Sequence, residues 1–558
     1  MKAADLFVKC LESEGVEYVF GLPGEEIAEL LRALGQSKKI KFVLCLQEQA
    51  ASFMADVYGR LTGRAGVCVS TLGPGATNLL TGVTDAFLDR APVVAITGQG
   101  GLERTYEESH QYVDIVSVYK FVTKWNRTIT RAAFIPQVVR KAFSVAESEK
   151  AGAAHIELPE DVAEEEAYPK NTPLLERIES KAHASITTRG ARQALDLIKK
   201  AKFPLILAGN GVIRANGSEN LASFARKFAI PVVSTFMGKG VISDMDELSL
   251  GTIGLQTKDL INCAFERSDT VLCIGYDFVE YSPKFWNPEH GAQSKKIIHI
   301  DSEPAEIDRN YRPSLELTGD LCATLRLLVE EARREKVSRR KESNYALKLG
   351  KMIRAELYDY ADDDSFPFKP QRIICEMRKA LGKNDILVSD VGMHKTWIGR
   401  LFPAYAPNTV IISNGFASMG IALPGAIAAK LARPKSRVLA ACGDGGFLMT
   451  LYDLATAKAL GLAITILVFD DGKYSQIEWK QLARFGKSYF INFKNPDIVK
   501  LAESFGCKGK RVKNAIDLRE TLSIALKSND TWVIDVPVDS HENERLLKRL
   551  GTNAKCPP

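Results

Sequence analysis

Two rhythms of apolar and polar residues alternate along this chain. Short apolar runs such as Val67-Cys68-Val69, Pro92-Val93-Val94-Ala95-Ile96, Pro204-Leu205-Ile206-Leu207-Ala208 and Val438-Leu439-Ala440-Ala441 read as buried strands. Between them lie segments such as EQAASFMADVYGRL, whose apolar positions recur at helical spacing. Regular alternation of this kind predicts an α/β fold of doubly wound parallel sheets, with ligands in the crevices at the carboxyl ends of the strands. Two polar stretches, EDVAEEEAYPKNTPLLERIESKAHAS and EEARREKVSRRKESNYALKLGKMIRAELYDYADDD, divide the pattern into three blocks, placed at 1–165, 188–335 and 366–545. Blocks one and three look alike in layout.

Length and charge narrow the classes. A chain of 558 residues is too long for one core and suits about three domains. Its 46% hydrophobic and 25% charged residues are those of a soluble globular protein. The net charge of +6 is small and scattered, so no nucleic acid partner is expected. No apolar run is long enough to span a bilayer, and the N-terminal segment mixes charged and apolar residues at helical spacing, unlike a signal peptide. The ten cysteines lie mostly in apolar segments without a CxxC pair, so all ten are expected as reduced thiols in a cytoplasmic protein.

The richest chemistry lies in RVLAACGDGGFLMTLYDLATAKALGLAITILVFDDG, from Arg437 to Gly472. A buried strand runs into Gly443-Asp444-Gly445-Gly446, a helix follows, and a second strand ends at Asp470-Asp471. A glycine-rich turn opening a helix offers backbone N–H groups to a phosphate. Carboxylates at the ends of neighbouring strands can hold a Mg²⁺ that bridges to it. The 27 residues between Asp444 and Asp471 (471 − 444) resemble the signature of thiamine diphosphate (ThDP) enzymes. Such a cofactor also needs a carboxylate against its pyrimidine ring to drive proton transfer. Glu48, directly after a strand and in the first turn of a helix, is the candidate, although a glutamate there also suits the helix dipole. Its phrase LCLQEQAASFMADVYGRLTG resembles the pyrimidine-side segment of ThDP enzymes, and the STLGPGATN loop that follows, with Pro74 and Asn78, resembles their cofactor loop.

Over nearly its full length the chain resembles the acetolactate synthases of the acetohydroxyacid synthase superfamily. Its middle block carries Tyr276-Asp277-Phe278-Val279-Glu280-Tyr281-Ser282-Pro283-Lys284-Phe285-Trp286 where flavin-binding members carry a different phrase, and His110-Gln111 likewise matches the catabolic, FAD-independent type. The resemblance implies a reaction in which one pyruvate is decarboxylated and the resulting two-carbon carbanion joins a second 2-oxo acid, giving 2-acetolactate. It implies Mg²⁺ held by Asp444, Asp471 and the main-chain carbonyl of Lys473, and no FAD. Diphosphate contacts would come from Gly443, Gly445, Gly446, Tyr474 and the loop Val391-Gly392-Met393-His394. Met419 would wedge beneath the cofactor rings, with Gly24 and Gln111 bordering the reacting carbonyl beside Glu48. It further implies a homodimer or homotetramer without a regulatory subunit.

The substrate pocket departs from the family. Gln476 stands where catabolic members usually carry Met, and Ser540 where they carry Tyr. Lys480 falls on the Trp of the FAD-dependent enzymes, with Trp479 one position earlier. These positions, with His110, leave open a different donor or acceptor: an aldehyde carboligase, an acyl-CoA lyase or, with catalysis lost, a binding relative. Intact Glu48, Asp444 and Asp471 argue against the last.

Overall fold

The computed structural model describes residues 1–167, 174–177, 186–254, 259–288, 295–337, 343–552 and 556, with the backbone alone over 547–552. Three six-stranded parallel sheets follow one another along the chain. The first contains β1 (Tyr18–Gly21), β2 (Lys41–Leu44), β3 (Gly66–Ser70), β4 (Val93–Gln99), β5 (Trp125–Thr128) and β6 (Ala153–Pro159). The second contains β7 (Pro204–Ala208), β8 (Val232–Ser234), β9 (Ser249–Thr252), β10 (Thr270–Ile274), β11 (Lys296–Asp301) and β12 (Leu315–Thr318). The third contains β13 (Ile386–Ser389), β14 (Val410–Ile412), β15 (Val438–Gly443), β16 (Thr465–Asp470), β17 (Lys508–Arg511) and β18 (Trp532–Pro537). Central strands such as β3, β4 and β10 are buried throughout, as expected for parallel strands covered by helices on both faces.

Strand order places the crevices. The first sheet runs β2-β1-β3-β4-β6-β5 and the third β14-β13-β15-β16-β18-β17, the same order shifted along the chain. In each, the chain leaves its first strand toward one edge and returns on the other side, so a switch point opens between β1 and β3 and between β13 and β15. At such a point the loops diverge and leave room for a ligand. The middle sheet runs β12-β11-β10-β7-β8-β9, a different winding.

The first and third units share one hydrophobic core that includes Phe20, Phe53, Val57, Val388, Ile427 and Phe447. Helix Glu48–Thr62 packs on helix Ala422–Ala432 so closely that a Cβ on Gly425 would lie 2.9 Å from Val57 Cγ2. A buried ion network reinforces the joint. Arg60 faces Asp56, Asp85 and Asp89 at 2.5, 3.2 and 2.7 Å, and Ser413 Oγ donates to Asp85 at 2.6 Å. One guanidinium among three buried carboxylates leaves Asp85 with its affinity for a proton raised by burial and by Asp89.

The cysteine expectation needs correction. Cys263 and Cys556 form a disulfide across 293 residues, their Cα atoms 5.5 Å apart, while the other eight are free. Spacing along the chain carries no sign of a pairing made by the fold. Parts of the first polar stretch, 168–173 and 178–185, lie outside the described residues. Among the described residues no helix is long and apolar enough to cross a membrane.

Candidate active site

A cavity of about 710 Å³ opens at the switch point of the third sheet, large enough for a cofactor and its substrate. Its floor comes from two strand ends. After β13 the chain turns through Val391 and Gly392 into helix Met393–Leu401, and after β15 Gly443 leads into helix Asp444–Thr450. Neither Gly392 nor Gly443 caps its helix with a side chain, so both helices open at the cavity without an N-cap side chain, the Gly445 N–H being held by Asp444 of its own turn. Backbone this close tolerates no side chain. A Cβ on Gly392 or Gly443 would come within 2.9 or 3.1 Å of the His394 ring, and on Gly446 within 2.6 Å of Asp390 Oδ2.

Asp444 and Asp471 stand side by side because β15 and β16 are neighbours in register. Asp444 Oδ1 accepts from the Gly445 N–H at 2.8 Å, and its Oδ2 accepts from the Gly472 N–H and Asn495 Nδ2, each at 2.7 Å. Asp471 accepts from Ser475 Oγ and from the Lys473 N–H. Burial pushes the Asp471 carboxyl up to about 7, with the Asp444 charge adding to the rise. Burial raises Asp444 as well, with Asp470 contributing. A buried and a half-buried carboxylate that repel one another, beside oxygen donors, form a hard-ligand set suited to a divalent cation. His394 has a buried Nε2 without a hydrogen-bond partner, and desolvation lowers its pKa to about 3, so the ring is neutral. Uncapped helix ends, a glycine cradle and paired carboxylates together fit a diphosphate with its metal.

Beyond this floor Met419 and Tyr474 close on Gly445. A Cβ there would sit 3.4 Å from Met419 Cε and 2.9 Å from Tyr474 Cε1. Gln476, Ile477 and Lys480 continue the wall on helix Ser475–Phe485. Gly254, Glu280, Tyr281 and Phe285 of the middle unit complete it. Trp479 points elsewhere, packing against the hydrophobic core of the third unit. At about 100° per residue it is turned about 100° from Lys480, though only about 60° from Gln476. Ser540 is also absent from the wall; its carbonyl accepts from the Asn543 N–H, and Asn543 and Val538 line the cavity instead.

The first-unit candidates gather at their own switch point. Glu48 is 6% exposed, and its Oε2 accepts from Asn78 Nδ2 at 3.1 Å. Gly75 lies against Glu48, Gly24 against Thr71, and Gly73, at φ +50°, against the Gln111 carbonyl. Pro74 opens helix Pro74–Leu88 beside them, and the His110 carbonyl accepts from Arg104. None of these residues lines the cavity at Asp444 in the same chain.

Several residues that build the site carry no signal in the sequence. Asn495 bridges Asp444 and Asp470, donating to the latter at 2.6 Å, from a loop 24 residues beyond Asp471 (495 − 471). Lys395 is buried, its Nζ donating to the Ser413 carbonyl at 3.0 Å and to Asn414 Oδ1 at 3.1 Å. Burial depresses it to about 8, against the pull of Asp89 and Asp85. Only Asp390, at the end of β13 before Val391-Gly392, occupies a position that the strand-end argument would have reached.

Comparison with known proteins agrees along the whole chain. Residues 1–118 match the N-terminal TPP-binding domain of thiamine pyrophosphate enzymes, 191–328 their central domain and 390–536 their C-terminal TPP-binding domain. An acetolactate synthase of Bacillus subtilis is 34% identical over 563 residues, covering 99% of this chain and 96% of the relative. A probable acetolactate synthase large subunit of Methanocaldococcus jannaschii is 34% identical over 559 residues, covering 97% and 93%. An acetolactate synthase of Mycobacterium bovis is 32% identical over 542 residues, covering 96% and 87%.

Proposed function

The chain belongs to the acetolactate synthase family of thiamine pyrophosphate enzymes, and from that premise we propose that it condenses two pyruvate molecules to 2-acetolactate and CO₂ at a Mg²⁺-anchored ThDP. The observation that carries the reading is the pairing of Asp444 and Asp471 beneath two uncapped helix N-termini at a switch point. Bound ThDP supplies a carbanion centre that accepts the two-carbon unit as CO₂ leaves.

The chain's own residues do the rest. Asp444, Asp471 and the Lys473 carbonyl would hold the metal, and the N–H groups at Gly445, Gly446 and Met393 would take the diphosphate oxygens. Met419 and Tyr474, which already close on Gly445, would support the rings of the bound cofactor from below. Glu48, with one oxygen held by Asn78, keeps the other for a proton at the pyrimidine nitrogen. Gly24 and Gln111 border the substrate carbonyl.

Glu48 does not reach the cavity of its own chain, so each site draws on two chains and the working unit is a homodimer or a pair of dimers without a regulatory subunit. Bare apolar surface supports this: Leu44, Leu46 and Phe121 are exposed in the first unit, and Ile477, Phe485 and Phe490 in the third. The middle unit needs no flavin. Around the carboxyl end of β10, Tyr276, Phe278, Trp286, Tyr311 and His299 fill the space with one another. Eight of the ten cysteines are free and six of these are buried, which suits a cytoplasmic location even with the Cys263–Cys556 disulfide in place.

Product analysis tests the whole reading. Purified protein given ThDP, Mg²⁺ and pyruvate, without flavin, is expected to be colourless and to release one CO₂ for every two pyruvates consumed, with acetolactate identified by mass spectrometry. One CO₂ per pyruvate with acetaldehyde as product, or a requirement for FAD, contradicts it.

A further inference from the structure

One covalent feature of the chain lies outside the chemistry described so far, the bridge between Cys263 and Cys556. Cys263 is buried in helix Leu260–Arg267 of the middle unit, and Cys556 is exposed, four residues beyond the last helix, His541–Thr552 (556 − 552). Both ends lead to one place. Asp259, which N-caps helix Leu260–Arg267, accepts from Arg400 Nη1 at 2.6 Å, and Asn543, the third residue of the last helix, accepts from Trp397 Nε1 at 2.8 Å. Trp397 and Arg400 are one turn apart on helix Met393–Leu401 and all four side chains are buried. The other end of that helix opens at the cofactor cavity, and Asn543 is itself part of the cavity wall. The bridge therefore completes a strap around a helix that the cofactor needs in place.

We infer that Cys263 and Cys556 form a reversible thiol–disulfide site that exchanges with small disulfides of the glutathione class, and that the closed bridge holds helix Met393–Leu401 in its cofactor-binding position. The site goes beyond the carboligase reading and shares with it only the cofactor cavity. Accessibility supplies the order of events. Cys556 can be met by a small thiol or disulfide from solvent, whereas Cys263 is 2% exposed and is reached only through Cys556. The other eight cysteines are free, and in a compartment that keeps thiols reduced a lone bridge is one that is made and broken in use.

Closure balances in two steps. The Cys556 thiolate attacks one sulfur of the external disulfide, whose S–S bond breaks and releases one thiolate. The Cys263 sulfur, giving up its proton, then attacks Cys556 of the mixed disulfide, forming the protein bridge and releasing the second thiolate. Two cysteines have lost two electrons and two protons, and the external disulfide has gained both as two thiols. Opening is the same path in reverse.

The test uses the full-length enzyme, with and without ThDP and Mg²⁺, equilibrated in glutathione buffers from fully reduced to fully oxidised, then quenched for thiol alkylation and peptide mapping. The wild type should pass reversibly between a Cys263–Cys556 bridge and two free thiols. Cys263→Ser should stop at the intermediate and carry one glutathione on Cys556, while Cys556→Ser should carry none on Cys263; Cys263→Ala repeats the trapping without a buried hydroxyl. By binding titration, ThDP should be held roughly five- to fiftyfold more tightly by the bridged wild type than by the reduced one, with Cys556→Ser resembling the reduced form in every buffer. Because coupling between two equilibria is reciprocal, bound ThDP should in turn extend the bridged form toward more reducing buffers by the same factor in the ratio of squared thiol to disulfide. A bridge that no glutathione buffer opens or closes, Cys263→Ser without glutathione on Cys556, or equal ThDP affinity in the two states overturns the inference. None of these readouts uses turnover, so absence of acetolactate synthesis would count against the carboligase reading alone.

Discussion

Glu48 sits in the first turn of its helix with one carboxylate oxygen held by Asn78, an arrangement that fixes the side chain while leaving the other oxygen to exchange a proton. Glu48→Gln keeps the shape and removes the acid, so turnover should fall by roughly 10² to 10⁴ while ThDP still binds, as measured by steady-state rates and cofactor titration. Near-normal turnover would remove Glu48 from the chemistry. Asp453 offers a second residue-scale test. It is buried, with Oδ2 unpartnered, and burial raises its carboxyl from 3.8 to about 7. Its stabilising contribution is complete below pH 3.8 and is lost as pH rises through about 7, because the folded chain then holds a proton that the unfolded chain has released. Asp453→Asn should therefore flatten the fall in melting temperature between pH 5 and 8; an identical slope would show that the group titrates normally. At this scale the sequence is informative where chemistry and spacing coincide. Asp444 and Asp471 can be paired on paper because both end neighbouring strands. Asn495 and Lys395 cannot, since only the fold returns their loops to the site. Trp479 and Lys480 differ by one position, and the helix's rotation, not the alignment, decides which of them meets the cavity.

Elements carry the site as strongly as residues do. The shared strand order of the first and third sheets opens equivalent crevices, approached by Glu48 from the end of β2 in one and by Asp444 from the end of β15 in the other. That likeness is visible in the sequence as a similar alternation of strands and helices. The strand order itself is not, because period alone does not say on which side of a sheet the chain returns. Nor does it show that helices Glu48–Thr62 and Ala422–Ala432 pack together, although Gly425 is small for that purpose. Gly425→Ala would drive a methyl within 2.9 Å of Val57 Cγ2 and 3.0 Å of Val388 Cγ1. Overpacking of that kind costs about 1–3 kcal/mol, against a gain of about 1 kcal/mol in helix propensity. Thermal unfolding should show a net loss of stability of about 1 kcal/mol. A stabilised variant would mean that the two helices separate readily.

At the scale of the molecule, the cavity built by Asp444, Asp471 and His394 is walled by the third and middle units, and the Glu48 cluster of the same chain has no part in that wall. Two chains related by a two-fold axis would bring each cluster over the other's cavity and cover the exposed Leu44, Phe121, Phe485 and Phe490. Subunit complementation tests this most directly. Glu48→Gln and Asp444→Ala proteins, each inactive alone, are dissociated, mixed in equal amounts and reassociated. Random pairing makes half the dimers mixed, and in each of these one site combines both lesions and the other combines neither. About a quarter of wild-type acetolactate synthesis should return, an estimate that treats the sites as independent. No recovery despite demonstrated subunit exchange would show that Glu48 and Asp444 serve one cofactor within a single chain.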